Sequence, residues 1–206
     1  MRPQAWRPAG WLCIAAAMHG GEPKNPDLPA LRAPGRSLVL VGLMGAGKST
    51  IGRRLARRYG LAFVDADEEI EKAAGMAIAD IFARYGEAHF REGERRVIAR
   101  LIDGPVKVIA TGGGAFVDPE TRQAILARAI AIWLDADIAT LAERVSRRSH
   151  RPLLRGRDAA TVLAELAAVR NPLYAEAPIR VVSQPAPHNA TVEAIVAELE
   201  RMDACQ

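Results

Sequence analysis

The stretch VLVGLMGAGKSTIG, residues 39–52, ends an apolar run at Gly42 and, with Gly47, Lys48 and Ser49, completes the spacing G-x-x-x-x-G-K-[ST]. That spacing belongs to loops that hold phosphate. Glycines let successive backbone N–H groups close around phosphate oxygens at a helix N-terminus, the lysine reaches the outer phosphates, and the hydroxyl can ligate Mg²⁺. An apolar strand-like run precedes the motif and an amphipathic helical pattern follows it, which is the context it requires. Gly42, Gly45, Ala46, Gly47, Lys48, Ser49 and Thr50 are therefore the candidate nucleotide site. Which molecule receives a phosphate must come from the rest of the chain.

Five further clusters could complete such a site. VDADEEI puts Asp65 and Asp67 at the carboxyl end of a second apolar run, the edge at which open α/β sheets bind ligands. One carboxylate could hold a magnesium shell and the other a substrate hydroxyl, or Asp67 could simply cap a helix beginning at Glu68. In GEAHFREGERRVI, residues 86–98, Arg91 lies on a helical pattern with Phe90, Val97 and Ile98 apolar. A guanidinium is shaped to grip a carboxylate through two parallel hydrogen bonds. His89 has no triad or metal partner and reads as structural.

TGGGA, residues 111–115, ends a third run in three glycines. Each costs about 1 kcal/mol relative to alanine in regular structure, so either a closely approaching ligand or a plain flexible turn explains Gly112, Gly113 and Gly114. The run ends in Thr111 rather than aspartate, so the usual acidic magnesium holder of phosphate-loop proteins is missing there and Asp65 is the natural substitute. In AATVLAELAAVRNPLY, Arg170 continues the inward stripe of Leu163 and Leu166 and should face a cleft, with Pro172 expected to end the helix. RRSHRPLLRGRD, residues 147–158, has five arginines between two helical patterns and reads as a mobile lid.

The elements that must position these residues alternate. Apolar runs at 38–42, 61–65, 106–110, 130–134 and 179–182 are separated by helical patterns such as Ile51, Leu55 and Tyr59, or Val192, Ile195, Val196 and Leu199. Continuous apolar strands between helices predict an α/β fold with a five-stranded parallel sheet flanked by helices. Residues 1–35, rich in proline and glycine without periodicity, read as a poorly ordered N-terminal extension, and 36–206 as one domain. A targeting segment there is a weaker reading, and Met18 is a plausible start.

Composition narrows the class. At 206 residues, half of them hydrophobic, the chain can build one sizeable core. No apolar stretch approaches the roughly 18 residues of a membrane span. Cys13 and Cys205 lie near opposite ends, which suggests neither a disulfide framework nor a zinc site and fits a reducing cytoplasm. Lys and Arg exceed Asp and Glu by 28 to 24, a mild excess that favours anionic ligands. Aromatics are only 5% of the chain and are not interleaved with basic residues, which disfavours a single-strand nucleic-acid groove.

With these pieces in view the sequence resembles the shikimate kinase family, through GLMGAGKST, DAD, FREGE, TGGGA, RPLL and RNPLY in family order over residues 37 to about 200. The resemblance implies a single-domain P-loop kinase fold and transfer of the γ-phosphate of ATP to the 3-hydroxyl of shikimate. It implies catalytic roles for Lys48, Asp67 and Arg151, with Lys48 on the phosphates and Asp67 accepting a hydrogen bond from the attacking hydroxyl. Ser49 and Asp65 would hold Mg²⁺, and Arg147, or its neighbour Arg148, would stack on adenine. Arg91 and Arg170 would grip the shikimate carboxylate, the Gly112, Gly113 and Gly114 backbone would close on the ring, and Arg151, carried by the lid, would meet the transferring phosphoryl group. A cytoplasmic monomer with no nucleic-acid or membrane partner is expected. A kinase for another hydroxy acid such as gluconate would share the loop, lid and sheet without needing all of these motifs. A nucleoside monophosphate kinase or an ATP-binding regulatory protein would also carry the loop.

Overall fold

Leu38, Val39, Leu40 and Val41 are all fully buried, as a strand covered on both faces must be. They form β1 (Leu38–Val41), the centre of the sheet in the computed structural model, which describes residues 34–146, 158–183 and 188–204. The other strands are β2 (Ala62–Asp65), β3 (Lys107–Ala110), β4 (Ile130–Asp135) and β5 (Ile179–Val182). Their order is β2-β3-β1-β4-β5 and every pairing is parallel, the five-stranded sheet expected from the alternation. Register places Leu40 beside Ala110 and Ala110 beside Asp65, so β1, β3 and β2 all release the chain at one edge. From β1 the chain crosses over to β2, and from β3 it crosses to β4 on the opposite side of β1. That reversal opens a crevice between β1 and β3 at their carboxyl ends.

The helices are α1 (Lys48–Tyr59), α2 (Ala66–Ala74), α3 (Ile78–Asp103), α4 (Pro119–Arg128), α5 (Ile138–Ser146), α6 (Ala159–Tyr174) and α7 (His188–Ala204). α1 packs on α7, α3 on α2 and α4, and α5 on α6. The stripes read from the sequence are the buried faces: Ile51, Leu55 and Tyr59 in α1, and Val192, Ile195, Val196 and Leu199 in α7. Each fully buried leucine or isoleucine on these stripes contributes about 1.5–3 kcal/mol.

Two helices depart from expectation. α3 begins at Ile78 rather than near Gly86, and Gly86, at φ 80° and ψ 176°, kinks it into two segments. That backbone conformation is essentially reserved for glycine. α6 runs through Pro172 to Tyr174 instead of stopping before the proline. Pro172 lies in the last turn and leaves only the carbonyl of Ala168 without its helical N–H, on an exposed part of the helix. The N-terminal segment up to residue 33 with Cys13, the lid segment 147–157 with Arg147, Arg148 and Arg151, and Cys205 lie outside the described residues.

Candidate active site

The loop between β1 and α1 is built by its glycines. Gly42, Gly45 and Gly47 have φ of 131°, 86° and 89°, conformations that side-chain-bearing residues rarely adopt. A Cβ on Gly42 would lie 2.5 Å from the Leu134 carbonyl oxygen, and one on Gly45 would lie 2.9 Å from Val145 Cγ2. The loop is thus pressed against β4 and α5. Gly47 is the N-cap of α1 and offers no side chain to its first amides, which leaves those N–H groups and the helix dipole for an anion. Lys48 Nζ folds over the loop and donates to the carbonyls of Gly42 (2.7 Å) and Leu43 (2.9 Å). Arg144, from α5, donates to the Gly45 carbonyl (3.5 Å) and to Ser183 Oγ (3.2 Å).

Beside Lys48, Ser49 Oγ donates to Asp65 Oδ2 at 2.8 Å. Asp65 is also the N-cap of α2, its Oδ1 accepting from the Asp67 backbone N–H at 3.2 Å. The helix therefore starts at Ala66 with Asp65 as its cap, and the Asp67 side chain is not needed for that task. The Asp67 side chain instead lies against the glycine turn after β3.

That turn organises the remaining side chains. A Cβ on Gly112 would meet Asp67 Oδ1 at 2.7 Å; one on Gly113 would meet Arg170 Nη1 at 3.5 Å; one on Gly114 would meet Arg91 Nη2 at 2.6 Å. Three successive glycines therefore face one acid and two guanidiniums, each brought from a different helix. The same Gly113 Cβ position lies 3.6 Å from the Gly42 carbonyl oxygen and from the Met44 amide nitrogen, so the turn abuts the phosphate loop. The Gly113 carbonyl accepts from Arg170 Nη1 (3.0 Å) and from the hydroxyl of Tyr174. Below the turn, Arg122 of α4 donates to the Phe116 and Val117 carbonyls (3.2 Å each) and to Glu176 (3.0 Å).

Glu94 and Tyr174 are participants that sequence reasoning missed. Glu94 is 2% exposed and accepts from Arg91 Nη1 at 2.6 Å. Burial pushes its carboxyl above the usual range, the hydrogen bond and charge of Arg91 pull it back down, and the nearby Asp67 and Asp118 push it up again. Arg91 is held above its usual value because, although burial works against its charge, Glu94 and Glu87 outweigh it. The guanidinium is therefore fixed in charge and place. In the sequence Glu94 is one acid in a charge run, and only its position on the inner side of α3, facing the crevice, sets it apart. Tyr174 is fully buried between Phe116 and Trp133, at ring-centroid distances of 6.3 and 6.1 Å, and burial raises its hydroxyl above the usual value. The final Y of RNPLY is its only local signal. His89 stacks on Tyr85 at 5.0 Å, on an exposed part of α3.

Among the described residues no group of three or more histidines, cysteines, aspartates or glutamates forms a metal cage. The adjacent Ser49 hydroxyl and Asp65 carboxylate are hard oxygen donors of the kind Mg²⁺ takes alongside water and substrate phosphates. They fit that ion.

Comparison with known proteins places the chain among its relatives. The chain is 56% identical over 180 residues to a shikimate kinase of Caulobacter vibrioides, covering 87% of this chain and 89% of that one. A structure of shikimate kinase from Acinetobacter baumannii in complex with shikimate superposes with a TM-score of 0.77 at 34% identity, over 81% of this chain and 93% of that one. A gluconokinase from Sinorhizobium meliloti, at 20% identity and a TM-score of 0.58 over 84% of this chain and 95% of that one, shares the fold alone. The shikimate kinase family model matches residues 44–200, from the phosphate loop to the last helix. On that match, and on the sequence identity that accompanies it, the chain belongs to the shikimate kinase family.

Proposed function

We propose that this chain transfers the γ-phosphate of ATP to the 3-hydroxyl of shikimate, giving ADP and shikimate 3-phosphate on the route to chorismate and the aromatic amino acids. The observation that carries this reading is the glycine turn. Gly112, Gly113 and Gly114 face Asp67, Arg170 and Arg91 in turn and abut the phosphate loop. An acceptor seated there has an acid for its hydroxyl, two guanidiniums for its carboxylate, and a phosphate donor alongside.

In this reading Gly45, Ala46, Gly47, Lys48, Ser49 and Thr50 cradle the ATP phosphates through loop amides and the lysine ammonium. Arg91 and Arg170 grip the carboxylate, and the Gly112–Gly114 backbone closes on the ring because no Cβ intervenes. Asp67 accepts the hydrogen bond of the attacking hydroxyl and orients it in line with the γ-phosphoryl group. Little proton removal is required early in a loose transition state, so orientation and cationic charge supply most of the acceleration. Arg151 from the lid segment meets the transferring phosphoryl group, and lid closure excludes water as a rival acceptor. Arg147, or its neighbour Arg148, would border the adenine, and Arg144 already lies against the loop at Gly45.

Ser49 directly, and Asp65 through water, would hold Mg²⁺, which neutralises charge on the β- and γ-phosphates when bound. Among the described residues no helix is long and apolar enough to cross a membrane. A cytoplasmic location and the absence of a nucleic-acid partner belong to the same proposal and rest on the placement of the cysteines and the few aromatics, and a monomeric state rests on the resemblance.

The test is a separation of kinetic constants. Asp67→Asn should lower kcat with shikimate by roughly two or more orders of magnitude, the usual worth of a positioned acid–base group, with KM little changed. Arg91→Ala should chiefly raise KM for shikimate. If both variants kept wild-type constants, the site would lie elsewhere.

A further inference from the structure

The two carboxylates on Arg91 are not equivalent. Glu94 takes Nη1 at 2.6 Å and is 2% exposed, whereas Glu87 takes Nε at 3.4 Å and Nη2 at 3.2 Å through one oxygen and is 68% exposed. Nε and Nη2 form one of the side-by-side pairs of N–H donors that match both oxygens of a carboxylate. The adjoining terminal edge, Nη1 and Nη2, packs against Gly114. Glu87 therefore sits on a carboxylate-binding edge of the arginine, with longer and looser contacts than Glu94 makes.

Its location makes it exchangeable. Gly86 breaks α3 immediately before it, so Glu87 opens the second helical segment and is not locked by a preceding turn. Leaving Arg91 returns its carboxylate to water at little desolvation cost, in contrast to Glu94, whose displacement would strand a buried charge. The neighbourhood is already rich in acid, since Glu94 and Glu87 both pair with Arg91 and Asp67 lies near enough to push the Glu94 carboxyl up.

We propose that Glu87 is a built-in competitor of the acceptor's carboxylate: it occupies the Nε–Nη2 edge of Arg91 and is displaced only by a substrate that brings a carboxylate of its own. This rests on the reading that Arg91 clamps that carboxylate. Glu87 thereby sets acceptor affinity and disfavours neutral polyols, which can supply the hydroxyl but cannot replace the ion pair.

The test is shikimate binding by calorimetry to the full chain as wild type, Glu87→Gln, Arg91→Ala and the double variant. Where Arg91→Ala binds too weakly for calorimetry, the same comparison is read as KM for ADP release. Glu87→Gln should tighten binding by about two- to fivefold, the scale of one partly exposed ion pair, and should do nothing in the Arg91→Ala background. Unchanged or weaker binding by Glu87→Gln, with Arg91→Ala still impaired, would overturn the competition and make Glu87 an orienting residue or a bystander. Tightening that persists without Arg91 would also overturn it, as general repulsion of an anion. Wild-type affinity in Arg91→Ala would instead refute the clamp itself.

Discussion

Gly114→Ala separates the role of Arg91 in binding from its role in folding. The new methyl would lie 2.6 Å from Arg91 Nη2 and 2.8 Å from Nη1, against a comfortable separation of about 3.5 Å, so the guanidinium must retreat by roughly 0.9 Å. Gly114 has φ −96° and ψ −16°, a conformation alanine accepts, and the obstructing group is the end of a flexible side chain rather than backbone. Replacing glycine where alanine fits lowers the entropy of the unfolded chain and stabilises by about 0.4–1 kcal/mol. That gain offsets much of the strain placed on the Arg91–Glu94 pair, and Tm should move by only a few degrees. Binding has no such compensation. A charge-assisted hydrogen bond is worth about 1.5–3 kcal/mol, and a misplacement of about 1 Å in a positioning group can cost about a hundredfold. We therefore expect the shikimate Kd to rise roughly 10- to 100-fold, with ATP affinity unchanged. Calorimetry of each ligand and a thermal melt decide the matter. Unchanged shikimate affinity would refute the assignment of Arg91 to the carboxylate, and an equal loss of ATP affinity would show that the turn is one structural unit.

Gly42→Ala should behave in the opposite way, because its Cβ would meet the Leu134 carbonyl oxygen at 2.5 Å with φ at 131°. Neither obstacle can swing aside, so roughly 3 kcal/mol of stability should be lost together with nucleotide binding, measured by denaturant unfolding and ATP titration. Asp118 caps α4 through Thr121 and pairs with Arg95 at 3.0 Å. Burial alone would raise its carboxyl, but the Thr121 and Arg95 hydrogen bonds hold it below its ordinary 3.8. A lowered folded-state value means that the stabilisation is present above that ordinary value and is lost as pH falls through the lowered one. Asp118→Ala should cost about 1–2 kcal/mol at neutral pH, and the gap from wild type in urea unfolding should close as the pH drops below about 4. Arg151→Ala should lower kcat far more than ATP affinity; an unchanged kcat in steady-state assays would remove Arg151 from the catalytic set.

How far the sequence discloses all this depends on whether a residue's surroundings are local. The phosphate loop is legible because its glycines, lysine and serine act within one turn, and the observed φ values are those its spacing requires. The central strands β1 and β4 are legible because burial on both faces leaves an unbroken apolar run, the edge strands β2 and β5 are less buried or mixed runs beside them, and the five observed strands fall within a residue of the runs at each end. Arg170 could be placed because it continues a helical stripe. Glu94 could not, since an acid flanked by Arg91, Arg95 and Arg96 reads as a solvated face until the kink at Gly86 and the packing of α3 on α2 turn it inward. Asp65 hides a double task, cap and Ser49 partner, because a cap is recognised only once the first helical residue is known. Pro172 misleads for a related reason: a proline breaks a helix where its missing N–H matters, and in the last turn of α6 it matters little.

The central claim is that the acceptor of the phosphate is shikimate, held by its carboxylate beside the loop. The most direct measurement is ADP release by the purified chain with ATP and Mg²⁺, comparing shikimate, gluconate, a nucleoside monophosphate and no acceptor. Release that depends on shikimate, with the other three near background, is the predicted result. Release driven by gluconate in place of shikimate would contradict the identity of the acceptor, release driven by the nucleoside monophosphate would contradict the carboxylate clamp as well, and ATP binding without release for any acceptor would contradict catalysis itself.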